Sequence, residues 1–186
     1  MDLTKFRVYV RAFEPEDYKT TITWRRDEEL WSLLTGRRYY VSSEYERKWV
    51  NDAIFDNQDN VRLAVCLKEN DLHIGNTSLD SINWLNRNAW LGTMIGDKRY
   101  RSQGYGSEIA ILMLQHGFYD LGLERISIDI LLSNTAAYKG IEKCGFKHEG
   151  VFRHAVYKNG KFEDLKIMSC LRQDFEEVLK KESLYP

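Results

Sequence analysis

The chain reads as an α/β protein of the α+β type: a single domain over residues 1–186, with one mixed, mostly antiparallel sheet flanked by helices. Three observations predict this. Three β-rich runs in the middle of the chain follow one another across short turns, which implies an antiparallel meander. The third run is followed by a helical pattern and then another β-rich run, a strand–helix–strand crossover that mixes a parallel pair into the sheet. The 186 residues contain only two prolines, Pro15 and Pro186, with no Pro/Gly/Ser-rich linker and no internal repeat, so one core is the simplest division.

Phe6 to Phe13 alternates around Val8 and Val10 and predicts a first strand. Glu14-Pro15-Glu16-Asp17 places a proline and acids where a first helical turn wants them. From there to about Phe55 the pattern is helical, with Trp24, Leu30, Trp31, Leu33, Leu34, Trp49, Val50 and Ile54 expected inside. Gly36 interrupts that run, and Ser42 or Ser43 can cap the helix that resumes. Val61 to Leu67, Leu72 to Trp84 and Ala89 to Ile95 predict the meander, turning at Glu69-Asn70-Asp71 and Asn86-Arg87-Asn88. A helix starts near Gly104. Its Ala110, Met113, Leu114, Gly117, Phe118 and Leu121 share one face, as for a helix laid on a sheet. Arg125 to Leu132 alternates through Ile126, Ile128 and Ile130. A short helix over Asn134 to Cys144 and two strands, Phe146 to Val156 and Phe162 to Leu171, complete the order. A hairpin at Lys158-Asn159-Gly160 joins those strands, and a helical tail follows.

Composition excludes several classes. With 43% hydrophobic and 30% charged residues the chain is neither disordered nor fibrous. A formal net charge of -1 gives no pull toward nucleic acid or an anionic membrane. Cys66, Cys144 and Cys170 are odd in number and far apart without a C-x-x-C, so neither a disulfide framework nor a zinc site is expected, and no metal is. The first residues, Met1-Asp2-Leu3-Thr4-Lys5-Phe6-Arg7, lack the apolar core of a signal peptide, and no apolar run approaches the roughly 20 residues of a membrane span. The expected location is the cytoplasm.

The segment with most chemistry runs from Met94 to Glu108. A strand ends, a loop with glycines at 104 and 106 follows, and a helix begins. Unpaired amides at that helix start, reinforced by the helix dipole, form an anion site that glycines leave open to a phosphate. Lys98, Arg99 and Arg101 add positive charge nearby. The dinucleotide fingerprint G-x-G-x-x-G fails because Ile109 stands at the third glycine, and no Gly-Lys-Ser/Thr exists for a Walker loop. The spacing that fits is Arg-x-x-Gly-x-Gly, from Arg101 to Gly106.

That spacing resembles the pyrophosphate signature of the GCN5-related N-acetyltransferase (GNAT) family. The likeness continues through Ile95-Gly96-Asp97 before it, and through Asn134-Thr135-Ala136-Ala137 and Glu142-Lys143-Cys144-Gly145-Phe146 after it. Glu149-Gly150, Arg153, Gly160 and Asp164 are similar to the tail of the ribosomal-protein N-terminal acetyltransferase branch, which itself resembles spermidine acetyltransferase. The resemblance implies a GNAT fold and an acetyl-CoA-dependent N-acetyltransferase that works in a ternary complex, without a metal. It implies a strand before the loop that splays from its neighbour, so that Met94, Ile95 and Gly96 line the pantetheine slot. Arg101, Ser102, Gln103, Gly104, Tyr105, Gly106 and Ser107 would then hold the pyrophosphate through their amides, Asn134 the pantetheine arm near the thioester, and Lys143 a CoA phosphate. A homodimer is a family-level expectation.

Relatives often carry a tyrosine acid seven residues after the helix asparagine; here that residue is Ile141. They often carry a glutamate in the strand before the loop; here Trp90 takes that place. Tyr138, four residues after Asn134 on the same helix face, is the substitute acid considered. Asp80, Glu149 and Asp164 are the carboxylates considered as base, with His148 and His154 beside them as the histidines in the last strands. The family's acceptor pocket uses the early helices and the last hairpin, which supply Trp24, Trp31, Tyr39, Tyr40 and Tyr45. Asp27-Glu28-Glu29 suits a cationic polyamine, whereas Arg37 and Arg38 suit a phosphate or an acidic peptide. The acceptor therefore stays open among a protein N-terminus, a polyamine, an amino sugar and an antibiotic. A non-catalytic acyl-CoA-binding or regulatory protein on the same fold is the alternative function.

Overall fold

The computed structural model describes residues 4–36, 40–56 and 58–181. Its centre is a seven-stranded sheet. In chain order the elements are β1 (Val8–Ala12), α1 (Tyr18–Trp24), α2 (Glu28–Leu33), α3 (Ser43–Phe55), β2 (Val61–Leu67), β3 (His73–Asn83), β4 (Asn88–Ile95), α4 (Tyr105–Gln115), β5 (Arg125–Leu131), α5 (Thr135–Glu142), β6 (Lys147–Lys158), β7 (Lys161–Leu171) and α6 (Arg172–Lys181). The strand order is β1-β2-β3-β4-β5-β7-β6. Every neighbouring pair is antiparallel except β4 and β5, which α4 connects in parallel. The predicted mixed, mostly antiparallel sheet is therefore present.

The two sheet faces are covered by different helices. Leu79, Leu91 and Ile126 meet Ile109, Ala110, Met113 and Leu114 of α4 in the main core. Ala64 on the other face packs with Phe13 and with Val50 and Ala53 of α3. The pleat explains the division, because residues opposite one another in register share a face. Arg62, Ser78 and Gly92 form one such row on the α3 side; Asp80, Trp90, Ser127 and Ser169 form the next.

The early helical run is three helices. α1 ends at Trp24, and Asp27 caps α2 by accepting from the Leu30 amide at 3.0 Å. Ser42 caps α3 in the same way through the Tyr45 amide. Trp24, Leu30, Trp31 and Val50 are buried as predicted, whereas Leu33 is exposed and Leu34, Trp49 and Ile54 are only half-buried. The last hairpin turns at Asn159 and Gly160, both with positive φ (49° and 82°), the backbone of a two-residue turn that follows strand twist. Cys66, Cys144 and Cys170 are buried free thiols. Among the described residues no helix is long and apolar enough to cross a membrane.

Candidate active site

β4 is eight residues long, but only Asn88, Ala89 and Trp90 pair with β5. Beyond that point the two strands diverge, and their backbones line a cavity of about 910 Å³. The predicted splay is present, and the cavity runs through it from one sheet face to the other. On the α4 side its wall is built from the β4 end (Ile95, with Met94 on the opposite face), the loop and helix start (Arg101, Ser102, Gly104 to Ser107) and α5 with its cap (Asn134, Ala137, Ile141). On the α3 side the wall is Arg25, Trp31, Glu46, Trp49, Arg62, Ser78 and Asp80, with Asp129 from β5.

The loop is clasped from two sides. Outside, Arg7 of the chain start reaches Glu108 of α4 through its Nε (2.7 Å) and its own amide (2.8 Å), and the Gln103 carbonyl through its guanidinium (2.9 Å), while covering the Tyr105 ring. Inside, Arg101 donates to the carbonyls of Ile95 (3.0 Å) and Gly96 (2.6 Å) and to Asp27 (2.6 Å). The reason lies in the splay. Where β4 leaves the sheet its last carbonyls lose strand partners, and a buried carbonyl needs a donor. The Arg101 guanidinium is thus turned to Asp27 and the strand end through Nε and Nη2, while its buried Nη1 makes no hydrogen bond. Burial works against the Asp27 carboxylate, but the Leu30 amide and the Arg101 guanidinium hold it below the usual range. Arg99 turns in the same manner onto Asp97.

What remains for an anion is backbone. Gly104 (φ 86°) precedes α4 and no side chain caps that helix start, so the Tyr105 and Gly106 amides are left open while the Ser107 amide turns back to the Gly104 carbonyl (3.1 Å). A Cβ on Gly106 would meet nothing within 4 Å, which makes that glycine a gap in the wall rather than a packing site. Gly96 is the opposite case. A side chain there would fall inside the Trp24 indole, so Gly96 closes the loop against α1 and does not itself line the cavity.

Asn134 lines the cavity and also caps α5, its Oδ1 accepting from the Ala137 amide (3.2 Å) and its Nδ2 donating to the Leu33 carbonyl (3.1 Å). Lys158 at the hairpin tip binds the carbonyls of Leu34 (2.5 Å) and Gly36 (2.8 Å), which draws the last hairpin to the end of α2, although no hairpin residue is among the described residues of the cavity wall. Burial lowers the Lys158 ammonium from its usual range. Three named residues stand apart from the cavity wall: Tyr138, whose ring lies under the Lys166 ammonium (3.9 Å); Lys143, at the far end of α5; and the Gln103 side chain, which turns to the Arg99 carbonyl. Of the expected acceptor aromatics Trp31 lines the cavity, Trp24 stands behind Gly96, and Tyr40 and Tyr45 are exposed. Arg37, Arg38 and Tyr39 lie outside the described residues.

The three carboxylates considered as base part company here. Asp80 lines the cavity. It holds Arg62 (3.2 Å) and accepts from the Ser78 hydroxyl (2.5 Å). The Ser78 Oγ sits 2.6 Å from where a Cβ of Gly92 would be, two residues past the last β4–β5 pair. Asp164 is spent on the His154 amide (2.8 Å). Glu149 is forked by Arg125 and accepts from Ser169, and those partners hold its pKa near about 2. A carboxylate depressed from about 4.5 to about 2 stabilises the fold above the higher value and loses that effect as pH falls toward the lower. Denaturant unfolding followed from about pH 5 to about pH 2 should show a shallower loss of stability in Glu149→Gln than in the parent.

Two further wall residues went unread in the sequence. Glu46 is 1% exposed and carries Arg25 on one oxygen (2.7 Å). Its spacing to Trp49, Val50 and Ala53 is that of an inward helix face, the one signal that could have found it. Asp129 lies two residues beyond the last β5 position paired with β4, on the α3 side. The alternation of Ile126, Ile128 and Ile130 already places it opposite the apolar face. Among the described residues no group of three His, Cys, Asp or Glu side chains could hold a metal.

Comparison with known proteins agrees with this geometry. The family model of the acetyltransferase (GNAT) domain matches residues 7–147. The chain is 26% identical to a probable N-acetyltransferase, YjcK, of Bacillus subtilis (strain 168), over 91% of this chain and 97% of that protein. It is 26% identical to the spermidine N(1)-acetyltransferase of Vibrio cholerae serotype O1, over 89% and 94%. Among solved structures it resembles the spermidine N-acetyltransferase from Vibrio cholerae in complex with CoA and spermine, with a TM-score of 0.83 at 24% identity, covering 91% of this chain and 98% of that one.

Proposed function

This chain belongs to the GNAT acetyltransferase family, and from that premise we propose how its cavity divides between acetyl-CoA and an amine. It is an acetyl-CoA-dependent N-acetyltransferase, and we read residues 1–186 as one such domain. The pantetheine arm lies in the splay along Met94 and Ile95, with Gly96 closing the loop behind them, and adds to the unpaired edge of β4 as an extra strand would. The pyrophosphate sits on the amides from Arg101 to Ser107. Asn134 offers the pantetheine its second amide proton, and Lys143 reaches a CoA phosphate outside the slot. The observation that carries this reading is a single cavity joining the diverging strands to an uncapped helix start.

The amine enters from the α3 side. An alkylammonium has a solution pKa of about 10.4 and must lose a proton before its lone pair can attack the thioester carbonyl. The new C–N bond forms as the C–S bond breaks, and CoA leaves as the thiolate, which then takes a proton. Asp80 receives the amine proton through the Ser78 hydroxyl, and Asp129 faces the incoming cation from the opposite strand. Tyr138, outside the cavity wall with its ring under the Lys166 ammonium, serves the thiolate as proton donor only by turning into the slot, and a Tyr138→Phe enzyme with undiminished turnover removes it from that role.

Incubating the protein with acetyl-CoA and a panel of amines should release free thiol. Protein N-terminal peptides, polyamines and amino sugars make up that panel, and no thiol release with any amine defeats the reading. Asp80→Asn should lower kcat by about 10²- to 10⁴-fold, the usual contribution of a positioned base, and leave the KM for acetyl-CoA in place. A homodimer is also proposed. It is supported by β6, a twelve-residue edge strand exposed along most of its length, with Phe152, Tyr157 and Phe162 of the hairpin open to solvent. Sedimentation equilibrium reads that state directly.

A further inference from the structure

Resting on the N-acetyltransferase reading, we propose that the acceptor amine carries an oxyanion, a carboxylate or a phosphate, and that Arg25 binds it. Arg25 follows α1 and lines the α3 side of the cavity. Its Nε donates to Glu46, whose carboxylate is almost wholly buried. The guanidinium lies over the rings of Trp31 (5.1 Å) and Trp49 (5.5 Å), and Trp31 is itself pinned by its Nε1 bond to the Trp24 carbonyl (3.0 Å). A guanidinium has five N–H donors in a fixed fork, and Glu46 uses only the one on Nε. Among the described residues the two terminal nitrogens of Arg25 have no hydrogen-bond partner. They form a planar pair of donors on a side chain that lines the cavity and that two tryptophans and a buried carboxylate hold in one orientation.

The other cavity arginines differ. Arg101 gives its Nε and Nη2 to two carbonyls and Asp27, its buried Nη1 making no hydrogen bond and lying 4.0 Å from Glu29, and Arg62 donates its Nε to Asp80 with its Nη1 3.6 Å from Asp56. Among the described residues Arg25 is the one of these three that pairs with a single carboxylate, and its terminal fork, held between two tryptophans, has the geometry that takes a carboxylate or phosphate through two parallel N–H···O bonds. The opposite charge is on the sheet, where Asp129 and Asp80 face the cavity. The acceptor site therefore has an acidic end near the diverging strands and a guanidinium end between α2 and α3. That is the complement of an amine with its own anion. A polyamine, cationic at each nitrogen, would set a positive charge against the unspent fork.

The test uses the whole chain, acetyl-CoA and thiol release. Amino acids and dipeptides are compared with their C-terminal amides, glucosamine 6-phosphate with glucosamine, and spermidine is run beside them. The acid/amide pairs read a carboxylate and the sugar pair a phosphate. We expect kcat/KM for the anionic member of one pair type to exceed its neutral partner by about 10- to 100-fold, as a bidentate charge-assisted pair supplies. Arg25→Gln should erase that ratio without moving the KM for acetyl-CoA, and Arg25→Lys should restore part of it. The ratio in the unmodified enzyme needs no variant, so a poorly folded Arg25→Gln does not spoil the test. Equal rates within both pair types, or spermidine preferred over every anionic amine, overturns the proposal and leaves the acetyltransferase reading standing. Thiol release with none of the amines overturns both.

Discussion

Gly106→Val should raise the dissociation constant for acetyl-CoA by about 100-fold, a loss of about 3 kcal/mol, while leaving the melting temperature nearly unchanged. The two halves of that expectation come from the same geometry. A side chain at position 106 meets no protein atom within 4 Å, so the fold has no reason to resist it. At the second residue of α4, valine is also no worse a helix former than glycine. The space it would fill is the space over the uncapped first turn, where the proposed diphosphate must approach the backbone. Isothermal titration with CoA, beside a thermal melt, checks both. Undiminished binding would put the diphosphate somewhere else.

Arg101→Ala should cost about 3 kcal/mol or more of folding stability, because it leaves Asp27 and two strand-end carbonyls without their donor. For a chain of this size that is a fall in Tm of about 6–12 °C. Arg101→Lys should recover little of it, since one ammonium cannot span the carbonyls of Ile95 and Gly96 and the Asp27 carboxylate together. The loop then loses its inner clasp while Arg7 keeps the outer one, so acetyl-CoA binding weakens along with stability. If Arg101→Ala instead kept its stability and lost only affinity for CoA, the guanidinium would be a phosphate ligand after all.

Arg101 and Gly106 stand five residues apart, and they were not equally legible. An uncapped helix start with nearby glycines is a local arrangement, so Gly104 and Gly106 announce it in the order of residues alone. The destination of Arg101 depends on where β4 leaves β5, and that is set by a strand some 30 residues further along the chain. The same distinction separates Asn134, whose capping role follows from the Ala137 amide three residues on, from its bond to Leu33, 101 residues away. Asp80, Glu149 and Asp164 look alike as letters. They become a cavity carboxylate, an ion pair with Arg125 and a hairpin tie only through their partners.

The order of strands and helices, the antiparallel meander, the crossover through α4 and the anion-ready turn were all written in periodicity and turn chemistry, which act between near neighbours. The family likeness was carried by those same local motifs. Tertiary structure alone decided which charges cancel: Arg101 on Asp27, Arg62 on Asp80, and Arg25 half-spent on Glu46 between two tryptophans. The physical reason is that a charge acts on whatever packing brings within a few ångströms, and that packing joins helices and strands whose separation along the chain carries no trace of the encounter.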